Sequence, residues 1–134
     1  MLASATVLVV ENDPITRELL ENILRGAGCR VLAVPTGNAG LLLLCQQQAQ
    51  IGWLVTKVRL PGLVDGWLLA DEYHRYNPDR PVVLLSEEIP KAECPSVDAV
   101  FVPPHAPMRV LETLKGLALS ETVDDAPVEM LRAA

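Results

Sequence analysis

Aromatic residues make up only 4% of this 134-residue chain, so Leu, Val and Ala must fill whatever core it has. Basic residues are also scarce. Eleven Lys and Arg face seventeen Asp and Glu, for a formal net charge of −6, which argues against a nucleic-acid-binding surface. The three cysteines (Cys29, Cys45, Cys94) are far apart, and no pair has metal-ligand or redox-motif spacing. Buried free thiols in a reducing compartment are therefore expected. Residues 1–10 carry no basic segment ahead of the short apolar run Val7 to Val10, unlike a secretory signal. Leu41 to Cys45, the other apolar run, is far too short to span a bilayer. A cytoplasmic protein with no membrane segment is the expectation. There is no internal repeat and no low-complexity segment beyond Gln46 to Gln48.

What remains is half hydrophobic and about one-fifth charged, in a length suited to one compact domain. Thr6 to Val10 is a continuous β-branched and apolar run, as expected of a strand covered on both faces. Asp13 can cap a following helix, with Pro14 at its first position. Ile15, Leu19, Leu20, Ile23 and Leu24 recur at helical spacing, and Gly26 to Gly28 ends the helix. Cys29 to Val34 reads as a second strand. A second helix starts at Thr36 or Gly37, and its apolar residues form one block, which suggests packing on two sides. Trp53 to Thr56 is a third strand, running into a loop that carries Lys57 and turns at Pro61-Gly62. A third helix spans Asp65 to Tyr76. Val82 to Leu85 and Val97 to Val102 are further strands, and Met108 to Leu119 is a last amphipathic helix.

Strands alternating with helices over short connections imply right-handed βαβ crossovers and a parallel sheet. Five such units predict an α/β flavodoxin-like doubly wound sheet of order 2-1-3-4-5, with its site at the carboxyl ends of the strands. Pro90 and Pro95 bracket the place of a fourth helix between Ser86 and Val97. Proline costs about 3 kcal/mol in a helix interior, so a short or irregular turn is expected there. The domain is read as residues 1–119, and residues 120–134 as an acidic, proline-broken tail or arm.

Four segments, taken together, resemble the receiver domain of two-component response regulators. They are Val7 to Pro14, Val58 to Gly62 with Asp65-Gly66, Pro81 to Ser86, and Ala99 to Pro103. The resemblance covers about residues 5–119 and implies phosphoryl transfer from a kinase histidine to an aspartate ending the third strand. It also implies Mg²⁺ held by two acids after the first strand. Carried over residue by residue, Glu11 keeps one acid and Asn12 replaces the other, with Asp13 beside them. Lys57 stands at the phospho-acceptor position, Ser86 at the switch hydroxyl and Phe101 at the switch aromatic. Pro104 stands where a phosphate-binding lysine is expected. An intact pocket carries three carboxylates, formally about −3, which recruits the cation. Here Glu11, Asn12 and Lys57 sum formally to about zero.

The resemblance thus implies a stand-alone, atypical receiver that binds protein partners, has lost Mg²⁺ and is not an enzyme. Lys57 is expected to reach Glu11, with Asp13 as a second carboxylate in range. A sensor histidine kinase or another two-component protein is the expected partner, docking around Ile15 to Leu24 and Pro103 to Met108, and a homodimer is a further possibility. Two alternatives stand beside this reading: phosphorylation at a non-standard residue, and a structural dimerisation module. A Schiff-base role for Lys57 has no substrate pocket suggested by its neighbours. His74 and His105 read as solvated, Glu87-Glu88 as a helix start, and Trp53 and Trp67 as packing residues.

Overall fold

The computed structural model describes residues 2–87 and 98–133, with side chains through Ser120. Five parallel strands are ordered β2-β1-β3-β4-β5. In chain order they and their helices are β1 (Thr6–Val10), α1 (Pro14–Gly26), β2 (Arg30–Val34), α2 (Gly37–Gln47), β3 (Trp53–Lys57), α3 (Gly66–Tyr76), β4 (Val82–Leu85), β5 (Ala99–Val102) and α4 (Pro107–Ala133). The expected flavodoxin-like topology is therefore the one observed.

Alternation along each strand sorts the apolar side chains onto two faces. Val7, Val9, Val55, Val83 and Leu85 point to one side, where they meet Leu20 and Leu24 of α1 and Val110, Leu111 and Leu114 of α4. Leu8, Val10, Leu54, Val82 and Leu84 point to the other, against Leu44 of α2 and Leu69, Ala70 and Tyr73 of α3. Both faces being covered explains why the strands read as unbroken hydrophobic runs. The few aromatics serve as anchors. Trp53 is buried under the Arg80 guanidinium, 4.9 Å from its ring centre. Tyr73 is buried and donates its hydroxyl to the Gly52 carbonyl at 2.6 Å.

Several expectations are revised. Lys57 is the last residue of β3 and not a loop residue, because its backbone pairs with Leu85 of β4. Helix α2 packs on one side only: Leu44 is buried and Leu41 and Leu43 lean on the same core, but Leu42 is 57% exposed. A run of apolar residues on a helix rotates through both faces, so one of them must point outward. Cys29 is buried as expected, whereas Cys45 is exposed with its thiol 3.9 Å from the Glu72 carboxylate of α3, and Cys94 lies outside the described residues. Helix α4 starts at Pro107, and its backbone stays helical beyond Leu119 to Ala133. The irregular turn expected between Ser86 and Val97 falls mostly on residues 88–97, outside those described. His74 is not simply solvated; its Nε2 lies 2.8 Å from the Arg80 carbonyl and fastens the turn after α3.

Candidate functional site at the carboxyl edge of the sheet

The carboxyl ends of β1 and β3 lie side by side, with Val10 registered against Thr56. The next residue on each chain is therefore Glu11 on one side and Lys57 on the other. Glu11 is 1% exposed, the most deeply buried acid among the described residues. Its Oε2 accepts the backbone N–H of Asp13 at 2.9 Å and lies 3.8 Å from Lys57 Nζ. Glu11 Oε1 is buried without a hydrogen-bond partner. The Lys57 side chain is about one-third exposed, at 31%, so the pair sits at the wall of an open edge. At this separation the attraction is about 4 kcal/mol at a near-surface effective dielectric, before the cost of burying the carboxylate is subtracted.

Asp13 takes the capping role. Its Oδ2 accepts from the Thr16 backbone N–H at 3.0 Å and from the Thr16 hydroxyl at 2.6 Å. Those two bonds, helped by the positive charge of Lys57 and Arg17, hold its carboxyl below the usual carboxylate range. Asn12 between them is exposed. Arg17, one turn into α1, donates from Nη1 to the Glu11 carbonyl at 2.9 Å. The β1–α1 loop is thus fastened three times: by Lys57 on the Glu11 side chain, by Arg17 on its backbone, and by Thr16 on Asp13.

Lys57 is held by its own strand. The buried Thr56 hydroxyl donates to the Lys57 carbonyl at 3.0 Å. Val58 N–H reaches back to Leu85 O at 3.0 Å, and Gly66 N–H reaches Val58 O at 2.9 Å. Gly66 is required by close approach, because a Cβ there would collide with the Lys57 carbonyl and Val58 Cα. Asp65 caps α3 by accepting from Leu68 N–H at 3.0 Å.

Ser86, Phe101 and Pro104 stand along the same edge on the far side of Lys57. Ser86 follows β4 and donates its N–H to Val102 O at 3.1 Å. Phe101 is half-buried in β5, its ring edge-on to Trp67 with centroids 6.0 Å apart and planes at 61°. Pro104 is half-buried just beyond β5, and His105 is exposed. Trp67 is half-buried against this ring and not freely exposed. The structure brings Glu11, Asp13 and Lys57 together as one cluster. Arg17 escaped the sequence reading. Its place one turn after the capping Asp13, on the side of the helix that returns to β1, is the signal that could have found it.

Among the described residues, no group of three His, Cys, Asp or Glu side chains is placed to hold a metal ion, and no helix is long and apolar enough to cross a membrane. A doubly wound parallel sheet of this order places its site at the carboxyl ends of the strands, here across β1, β3 and β4. The family model for the response regulator receiver domain matches residues 7–98, and the chain belongs to that family.

Solved structures agree on the fold. A response regulator receiver protein from Sinorhizobium medicae is 24% identical, with a TM-score of 0.74 over 87% of this chain and 96% of that one. Chemotaxis protein CheY4 of Vibrio cholerae is 20% identical, with a TM-score of 0.71 over 86% of this chain and 99% of the other. Response regulator TrrA of Thermotoga maritima, solved in complex with Mg²⁺ and a beryllium fluoride, is 22% identical with a TM-score of 0.70, over 84% and 98%. No curated protein matches the chain.

Proposed function

We propose that this chain is an atypical receiver that acts by protein–protein contact in two-component signalling, without phosphorylation at the end of β3 and without Mg²⁺. The observation that carries the reading is the Lys57 ammonium 3.8 Å from the buried Glu11 carboxylate, at the edge where the family holds its phospho-acceptor. An ammonium has no lone pair to attack phosphorus, and a lysine side chain forms no acyl phosphate.

The residues present do not fit a hard dication. Magnesium needs octahedral oxygen ligation with carboxylate charge. Glu11 offers one carboxylate, already facing a cation, Asn12 is neutral, and Asp13 is bonded to Thr16. The built-in ammonium supplies the positive charge that the edge would otherwise import. The chain then has no switch to throw at this position, and its output is the shape of its surface. That surface would meet a histidine kinase or another protein of the same signalling class, in the reducing cytoplasm that suits an exposed free thiol at Cys45.

Intact-mass measurement after incubation with a small-molecule phosphodonor and Mg²⁺ tests the proposal. No mass gain is expected under conditions that fully label an ordinary receiver. A stoichiometric gain of one phosphoryl group, at any residue, overturns it.

A further inference from the structure

The outer surface of α4 carries a pattern that neither the fold nor the site explains. Met108 is 53% exposed and Leu119 is 62% exposed, although both are large apolar residues. Glu112 and Lys115 lie between them and are also exposed. The positions 108, 112, 115 and 119 are spaced four, three and four, so they form a single stripe along one side of the helix. The core side of the same helix uses Val110, Leu111, Leu114 and Ala118.

The stripe is complementary to itself. When a second α4 runs antiparallel across it, the register that puts Met108 opposite Leu119 also puts Glu112 opposite Lys115. A two-fold axis then repeats both pairs, giving two apolar contacts outside and two opposite-charge contacts inside. That is the condition an isologous interface must meet.

A second feature fits the same register. Beside Leu119 the surface opens into an apolar groove of about 340 Å³, lined by Leu2, Ala3, Ala27, Lys115, Ala118 and Leu119. Met108 of the second copy arrives at this groove, and an unbranched thioether side chain suits an irregular apolar slot. Helix α1 packs against α4, and its Ile15 and Leu19 are exposed apolar residues as well.

We propose that this chain forms a two-fold homodimer through antiparallel packing of the α4 stripe, with Met108 of each copy seated in the groove beside Leu119 of the other. The face lies on the α1 side of α4. It is independent of the Lys57 edge, so it stands or falls separately from the reading of that site. Because α1 packs against α4 and its C-cap Ala27 lines the groove, self-association and docking of another protein on α1 compete for adjoining surface.

Light scattering and sedimentation of the full chain over a micromolar dilution series test the dimer, with circular-dichroism melts confirming that each variant folds. All four positions are exposed, so their substitution leaves the core intact. The wild type is expected to dimerise reversibly. Leu119→Glu is expected to weaken the dimer at least tenfold. Glu112→Lys and Lys115→Glu each place like charges face to face and weaken it, and combining them restores it, more visibly at low salt. A wild type that stays monomeric throughout overturns the proposal. So does a dimer indifferent to Leu119→Glu, or a charge-reversed pair that fails to recover.

Discussion

Lys57 and Glu11 make an uneven pair, because the acid is 1% exposed and the lysine side chain 31%. Removing the ammonium would leave a carboxylate in the interior with one backbone N–H from Asp13 as its support. Breaking a fully buried pair from one side costs about 3–5 kcal/mol, and the partial exposure of Lys57 lowers this to about 2–3 kcal/mol. Lys57→Met is therefore expected to lower the urea midpoint with an unchanged m-value, and adding Glu11→Gln to recover much of the loss. A Lys57→Met protein as stable as the wild type would mean that the two side chains do not interact in solution. This pair was legible in the sequence because a strand-end position selects what faces the site, and a cation there needs an acid nearby. Arg17 was legible only by its place one turn after Asp13, since its bond goes to the backbone carbonyl of Glu11 and not to another side chain.

Among the elements, the β3–α3 connection sets where Lys57 stands. Gly66 opens α3 with its N–H on Val58 O, and its Cα lies so close to the end of β3 that only hydrogen fits there. Gly66→Ala must push α3 away from the strand or bend the Lys57 carbonyl, at a cost of about 2–3 kcal/mol. Gly116 is the matched control: it lies within α4, and a Cβ there would meet nothing within 4 Å. Gly116→Ala is expected to stabilise the protein by up to about 1 kcal/mol, from helix propensity alone. Thermal melts of the two variants should move in opposite directions. Similar shifts would show that the crowding at Gly66 relaxes freely. Strand runs and helix starts were readable in advance, and so was the cap at Asp13; Thr36 and Asp65, read only as helix starts, prove to be caps too, each accepting from the N–H three residues on. Helix α2 was misread because its apolar block, including Leu42, carries no period from which an outward face could be inferred.

For the molecule as a whole, the receiver fold and the proposed loss of Mg²⁺ at its edge can be tested separately. The order of the sheet and its two cores were written in the alternation of hydrophobic runs with helical periods. The chemistry of the edge depends on a few positions that leave the fold untouched, and fold therefore says little about it. Reversing those positions separates the two. Lys57→Asp, Asn12→Asp and Pro104→Lys together place carboxylate charge beside Glu11 and a cation beyond β5, on the strand register observed. A ligand that binds only the folded state raises stability by RT ln(1 + [L]/Kd), about 2.7 kcal/mol when its concentration is a hundred times Kd. The triple variant is expected to gain melting temperature with added Mg²⁺ and to lose that gain with a chelator, while the wild type responds to neither. Calcium serves as the comparison ion, because a rebuilt octahedral site with small-ion geometry should favour magnesium over a larger cation that demands more ligands. A wild type stabilised by Mg²⁺ would refute the built-in-cation reading directly. A triple variant indifferent to every dication would mean that the edge has changed shape as well as charge.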